Sequence, residues 1–306
     1  MDMYQKRKMR AEKKNNDSQK SFSNVPISWY PGHMEKAKRE MVEMIKMVDM
    51  VIELRDSRIP LSSENPLIGQ IVNSKPTLIV LSKKDKAEKK ETDKWINYFQ
   101  STGKEAISLD LLSDNVSAII SSTCQKIMKN KIEKLKSRGM KNVQIKAMVV
   151  GIPNVGKSTL INSTMKKKIV KTADKPGVTR NLQWIKISKE VALLDTPGVL
   201  WPKLDNQTSA YLLAITGAIK DEILPIESVV EFALDYLASN YSDKLQQRYG
   251  ITVDSNIDNL LNSIAISRNC FLTNNQIDYK RLYALILKDI RDNQLGQITW
   301  EKYENI

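Results

Sequence analysis

The spacing of apolar residues gives the chain two textures. In "HMEKAKREMVEMIKMV" (33–48), Met34, Ala37, Met41, Ile45 and Val48 share one helical face, while Lys36, Arg39 and Glu43 fall elsewhere, which predicts an amphipathic helix. Short aliphatic and β-branched runs predict strands: "MVIEL" (50–54), "PTLIVL" (76–81), "AISL" (106–109), "IKAMVV" (145–150), "WIKIS" (184–188) and "VALL" (191–194). A segment with Trp95, Ile96 and Phe99 and the long stretch 116–138 predict helices between them, with Gly139 as a stop. Strands alternating with helices predict an α/β fold with a mostly parallel sheet covered on both faces, and ligands at the carboxyl ends of its strands.

From about Thr216 the texture changes. "ESVVEFALDYLASNY" (227–241), "NIDNLLNSIAISR" (256–268) and "YKRLYALILKDIRDN" (279–293) all have helical spacing, and no strand pattern is evident. Residues 1–24 are polar and basic, too poor in apolar residues to support a core. The reading is a flexible basic tail (1–24), an α/β domain (25–218) and an all-helical domain (219–306).

Composition adds constraints. No apolar run approaches the roughly 20 residues that span a bilayer, and the basic N-terminal stretch lacks the apolar centre of a secretory signal. The two cysteines, Cys124 and Cys270, form no CxxC pair, which argues against a zinc site or a disulfide framework and fits a reducing cytoplasm. The net charge of +13 is unevenly placed: residues 220–306 hold 9 Lys/Arg against 13 Asp/Glu, or −4, so residues 1–219 carry +17. A field of that sign favours a polyanionic partner such as RNA or a ribosome, with a solvated lysine-rich surface as the plain alternative.

The chemistry lies at the strand ends. "GIPNVGKS" (151–158) fits G-x-x-x-x-G-K-[ST] between a strand and a helix. Gly151 and Gly156 let the loop close on phosphates, the backbone from Asn154 and Val155 to Thr159 points N–H groups inward, Lys157 reaches the β- and γ-phosphates, and Ser158 binds Mg²⁺. "LLDTPG" (193–198) ends a strand on Asp195, which holds magnesium through water, and Gly198 lets its N–H approach the γ-phosphate. "KPGVTR" (175–180) offers the Thr179 hydroxyl to the same metal as a ligand-ordered switch.

Base recognition falls to "LSKKDKA" (81–87). The Asp85 carboxylate can accept from both N1–H and the N2 amino group of guanine, whereas adenine presents a bare acceptor at N1. Lys83 lays its stem over the base and braces the phosphate loop. Ser82 stands where N-K-x-D has asparagine, and its shorter hydroxyl is expected not to span the contacts between loops and base. Asp110 and Leu111, in "SLDLL" (108–112), are the candidates for the loop covering the base. These motifs specify GTP with Mg²⁺. Their order is inverted, because base recognition precedes the phosphate loop: a circularly permuted P-loop GTPase domain.

At this point the chain resembles the ribosome biogenesis GTPase A (YlqF-like) family over roughly residues 25–306, through "WYPGHM", "SRIPLSSENP", "GIPNVGKSTLIN", "KPGVTR", "LLDTPGVLWPK" and "TGAIKD". The resemblance implies a cytoplasmic GTPase acting in late assembly of the bacterial large ribosomal subunit, with the helical domain on ribosomal RNA. It also implies that Asn154 helps hold a potassium ion beside the phosphates. Neither a membrane nor DNA is an expected partner.

His33 is the only histidine in the chain. Ras-like enzymes orient the attacking water with a glutamine after D-x-x-G, but here the position is Val199, which cannot hydrogen-bond to water. His33 can accept from that water near neutral pH and is the candidate catalytic residue, a role the resemblance also implies. The alternatives are a structural or RNA-contacting histidine. Two functions compete: a switch in which hydrolysis times release from a pre-ribosome, and an RNA-binding placeholder whose nucleotide is structural. For RNA contact, Lys280, Arg281, Lys288 and Arg291 of the last long helix and the basic segment 126–141 are the candidates.

Overall fold

The computed structural model describes residues 33–72, 75–165, 184–196 and 206–305. These fall into two compact units, drawn from Ser28–Asp205 joined by Thr299–Ile306, and from Asn206–Ile298.

The first unit is a six-stranded sheet ordered β3-β2-β1-β4-β6-β5. Its strands are β1 (Met50–Asp56), β2 (Thr77–Ser82), β3 (Glu105–Leu109), β4 (Ile145–Gly151), β5 (Trp184–Lys186) and β6 (Val191–Asp195). All pairings are parallel except β5 with β6. Every residue of β1 and β6 is buried, as expected of strands covered on both faces, while the edge strand β5 alternates exposed and buried. The chain starts in the middle at β1, winds to one edge through β2 and β3, returns to the centre at β4, and continues to the other edge. The reversal lies between β1 and β4, the position where a parallel α/β sheet opens a crevice at its carboxyl ends.

The helices of this unit are α1 (His33–Lys46), α2 (Pro66–Val72), α3 (Lys89–Ser101), α4 (Val116–Ile127), α5 (Lys129–Ser137) and α6 (Lys157–Ser163). Met41, Ile45 and Val48 of the predicted face are buried, and Met44 is buried beside them. Trp95 and Phe99 of α3 pack on Ile79, Leu81 and Ala106 of β2 and β3. The stretch predicted as one helix over 116–138 is two. Val116, Ile120 and Cys124 anchor α4, Met128 is the last buried residue, and no residue of α5 is buried, so the chain breaks where its apolar stripe ends.

The second unit contains α7 (Gln207–Ile215), α8 (Ile226–Asn240), α9 (Ser242–Tyr249), α10 (Ile257–Ser267) and α11 (Tyr279–Arg291). Asn206, Asn256 and Asp278 cap α7, α10 and α11 by accepting from backbone N–H groups of the first turn. An isolated bridge between Phe271 and Ile277 is the extended pairing among its described residues. No described helix is long and apolar enough to cross a membrane.

Candidate functional site

The crevice is built from the loops that leave β1, β2, β3 and β4 at their carboxyl ends. The phosphate loop follows β4 because two of its positions admit only glycine. Gly151 has φ +152°, and a Cβ there would lie 2.7 Å from Leu54 O; Gly156 has φ +110°, and a Cβ would lie 2.8 Å from Leu111 Cδ1. Leu111 is thereby placed against the phosphate loop. Asn154 is exposed, with φ +57°.

Lys157 opens α6 and is buried, and its amine donates to Gly151 O at 3.0 Å and Ile152 O at 2.7 Å. It therefore spans the loop it grows from, with a third proton left for a phosphate. Burial pulls its pKa down to about 8, against the opposing pull of Asp195. Asp195 ends β6 and is buried; burial raises its pKa, with Lys157 and the Thr196 N–H opposing. Its Oδ1 has no hydrogen-bond partner. A buried carboxylate oxygen left open beside a phosphate loop fits a magnesium ion held through water, with the Ser158 hydroxyl at the start of α6 as its companion. The Thr196 hydroxyl donates to Val149 O at 2.6 Å, which ties the end of β6 to β4. Thr179, Gly198 and Val199 lie outside the described residues, as does the tail 1–24.

The base loop leaves β2 with Ser82 buried, Lys83 in the left-handed conformation (φ 57°) and Asp85 exposed in a short 3₁₀ turn. Ser82 Oγ lies 2.6 Å from Val155 O in the phosphate loop and 3.0 Å from Arg55 O of β1, so the shorter hydroxyl reaches from β2 to the phosphate loop. The close approach of β2 to the phosphate loop makes a longer amide unnecessary for that bond. Ser82→Ala leaves buried acceptors without their donor and is expected to weaken GDP binding about tenfold in a fluorescent-nucleotide titration. An unchanged Kd would mean the bond does nothing for the loop. Asp110 binds within its own turn, accepting from Leu112 N and Ser113 Oγ, and the latter bond leads in holding its carboxyl below the usual range. Lys84 pairs with Asp114 at 2.6 Å, which joins the base loop to the 110–114 loop.

Sequence reasoning missed the charged network beneath the base loop. Arg55, Asp56 and Arg58 are all buried at the end of β1. Arg58 grips Asp56 through Nε–Oδ1 at 2.9 Å and Nη2–Oδ2 at 2.7 Å, and Lys83 Nζ reaches the same Oδ2 at 2.9 Å. Burial alone would raise the Asp56 carboxyl, but Arg58 and then Lys83 outweigh it and hold it well below the ordinary carboxylate range. Arg55 pairs with Glu53 and Glu64 and lies 5.2 Å above the Phe99 ring. The signal was available: "ELRDSR" puts alternating charges where a buried strand reaches the ligand edge of the sheet.

His33 is the first residue of α1. In the helical unit, Lys280, Arg281 and Lys288 are exposed on α11, but Arg291 is engaged within the unit. Its guanidinium donates to Ala214 O at 2.7 Å and Ile215 O at 3.1 Å and pairs with Asp221 at 2.8 Å, so it caps the end of α7 instead of facing a partner. Asp289 is buried in a pair with Arg248, which removes it from the α11 surface. Lys129, Lys131, Lys134 and Lys136 of α5 are exposed, two of them in ion pairs with Glu133 and Asp49.

Residues 146–262 match the family described as "50S ribosome-binding GTPase". That match begins in β4 and leaves out the base loop, as the inverted order of the motifs requires. Ribosome biogenesis GTPase A of Bacillus cereus is 44% identical over 279 residues, covering 91% of this chain and 94% of that protein. The protein of the same name from Priestia megaterium is 43% identical over 279 residues, covering 90% and 97%. A crystal structure of GNP-bound YlqF from T. maritima superposes with a TM-score of 0.64 at 24% identity, over 89% of this chain and all of that one, and shows the same fold.

Proposed function

Because this chain belongs to the ribosome biogenesis GTPase A family, we propose that it binds the precursor of the large ribosomal subunit and acts in its late maturation, with the subunit stimulating hydrolysis. That the protein is a circularly permuted GTPase of ribosome biogenesis follows from the family itself. The nucleotide-dependent part of the reading is supported above all by one arrangement. The phosphate loop and base loop are joined through Ser82 and Val155, and beside them Asp195 keeps an open carboxylate oxygen.

In this reading Asp85 selects guanine, and Asp110 and Leu111 cover the base. Asn154 to Thr159 hold the phosphates, with Ser158, Thr179 and Asp195 around Mg²⁺ and Gly198 on the γ-phosphate. His33 positions the attacking water. The partner is ribosomal RNA, met by Lys280, Arg281 and Lys288 and by the lysines of α5, in the cytoplasm. Phosphate-directed lysines make the binding strongly salt-dependent.

Co-sedimentation with large subunits tests this. The expected result is retention with a non-hydrolysable GTP analogue and release with GDP, with retention falling steeply as salt rises. Equal retention in both nucleotide states would contradict a switch.

Asn154 supports a further expectation, a potassium ion beside the phosphates that acts as an arginine finger would. Replacing K⁺ by Na⁺ at constant ionic strength is expected to slow hydrolysis roughly tenfold or more, a small share of the 10³–10⁵ such a charge can supply. An unchanged rate would remove potassium from the site.

A further inference from the structure

We propose that Glu301 is a positioning residue for guanine-nucleotide binding, acting through a strap, residues 299–305, that clamps the supports of the base loop. The strap belongs to the α/β unit, although the whole helical unit precedes it in sequence. It meets the base loop's surroundings at two points.

On one side, Glu88 N, immediately before α3, donates to Thr299 Oγ1 at 3.0 Å. On the other, Trp300 N and Glu301 N both donate to Arg58 O, at 2.9 and 3.2 Å. The Glu301 carboxylate accepts from Leu61 N at 2.7 Å, from Ser62 N at 2.9 Å and from the Ser62 hydroxyl.

The segment so held, residues 58–62, is the one whose Arg58 grips Asp56, and Asp56 in turn holds Lys83. The relay runs from Glu301 to the 58–62 segment, to Arg58, to Asp56 and to Lys83, two residues from Asp85. Thr299 pins the far end of the same base loop at Glu88.

Anchoring the strap does not require this carboxylate. Trp95 Nε1 already donates to Glu301 O at 2.9 Å, Tyr303 packs edge-on against Trp95 with ring centroids 5.7 Å apart, and Tyr303 N donates to Glu91. Glu301 is instead a half-buried acceptor beside Asp56, where desolvation above all raises its pKa. An acceptor-only group in so unfavourable a place is accounted for by the three donors that it fixes.

The inference rests on the assignment of residues 82–85 as the base loop. Its test is the affinity of full-length Glu301→Ala and Glu301→Gln for fluorescent GDP, measured well below the melting temperature of each, with GTP turnover alongside. Glu301→Ala is expected to raise the Kd for GDP and the KM for GTP about tenfold and to leave kcat at saturation unchanged. Glu301→Gln, whose amide oxygen still accepts from Leu61 N and Ser62 N, is expected to stay within about threefold of the native protein. If Glu301→Ala does not fold, Thr299→Val, which keeps the shape and loses the Glu88 bond, is expected to raise the same Kd about threefold.

Asp85→Asn tests the premise separately. An amide can donate to the xanthine C2 carbonyl and accept from N1–H, so the preference should move from guanosine to xanthosine diphosphate. A lowered melting temperature with an unchanged Kd in Glu301→Ala, while Asp85→Asn still switches base preference, would overturn the role of the strap alone. An unswitched Asp85→Asn would overturn the base-loop assignment, and the proposal with it.

Discussion

Lys157→Ala is expected to raise the Kd for GDP and GTP by at least about 100-fold, because it leaves buried phosphate charge without its cationic partner. The fold should survive the change. A lysine whose pKa is lowered by burial is less favourable as an ammonium in the folded protein than in the unfolded chain. Its ionised form therefore costs stability below its folded pKa of about 8, and that cost fades as pH rises toward the unfolded value. Nucleotide-free Lys157→Ala should stay folded at neutral pH, because relief of that cost is set against the lost bonds to Gly151 O and Ile152 O, while isothermal titration with GDP shows the lost affinity. Retained nucleotide binding would mean that the amine, now on Gly151 O and Ile152 O, serves only the loop.

His33→Ala is expected to abolish subunit-stimulated GTP hydrolysis, with a loss of about 10²–10⁴ in kcat and no change in GDP affinity. Val199 follows Gly198 where a glutamine orients water in Ras-like enzymes, and the sole histidine of the chain opens α1, directly after Pro31 and Gly32. Single-turnover hydrolysis with large subunits present separates the two effects. Unchanged stimulated turnover with intact subunit binding would make His33 a structural or RNA-contacting residue.

The parts of the site legible in the sequence were those whose chemistry is local. Gly151, Gly156, Lys157 and Ser158 sit in one short stretch, and the glycine spacing carries the geometry by itself; Asp195 ends an apolar run directly, and Asp85 follows another by a few residues. The elements that went unread depend on what meets across the fold. Ser82 was judged by the length of its side chain, yet what matters is how near β2 brings it to Val155, and that distance is set by β1 lying between β2 and β4. Arg55, Asp56 and Arg58 pair because they are buried together, and burial is a property of the packed sheet. The contacts of "TWEKYENI" leave no local signal, because its partners Arg58, Ser62, Glu88 and Trp95 lie more than 200 residues away in the chain.

Helices fared similarly. The apolar face of α1 was plain from Met41, Ile45 and Val48, whereas the break at Met128 was hidden because α5 keeps helix-forming lysines after its apolar stripe has ended. Arg291 belonged to the charge pattern of α11 by spacing, but a guanidinium near the carbonyls of Ala214 and Ile215 is drawn to them. That leaves Lys280, Arg281 and Lys288 as the outward charge of that helix.

The decisive measurement is GTP turnover by the purified protein at saturating GTP, with and without large ribosomal subunits. A permuted GTPase whose water-positioning group is completed by its partner predicts slow basal turnover, on the order of 10⁻³ s⁻¹, rising at least about 100-fold with subunits. Tight subunit binding with no rise in turnover would contradict that account and identify the protein as an RNA-bound placeholder whose nucleotide is structural.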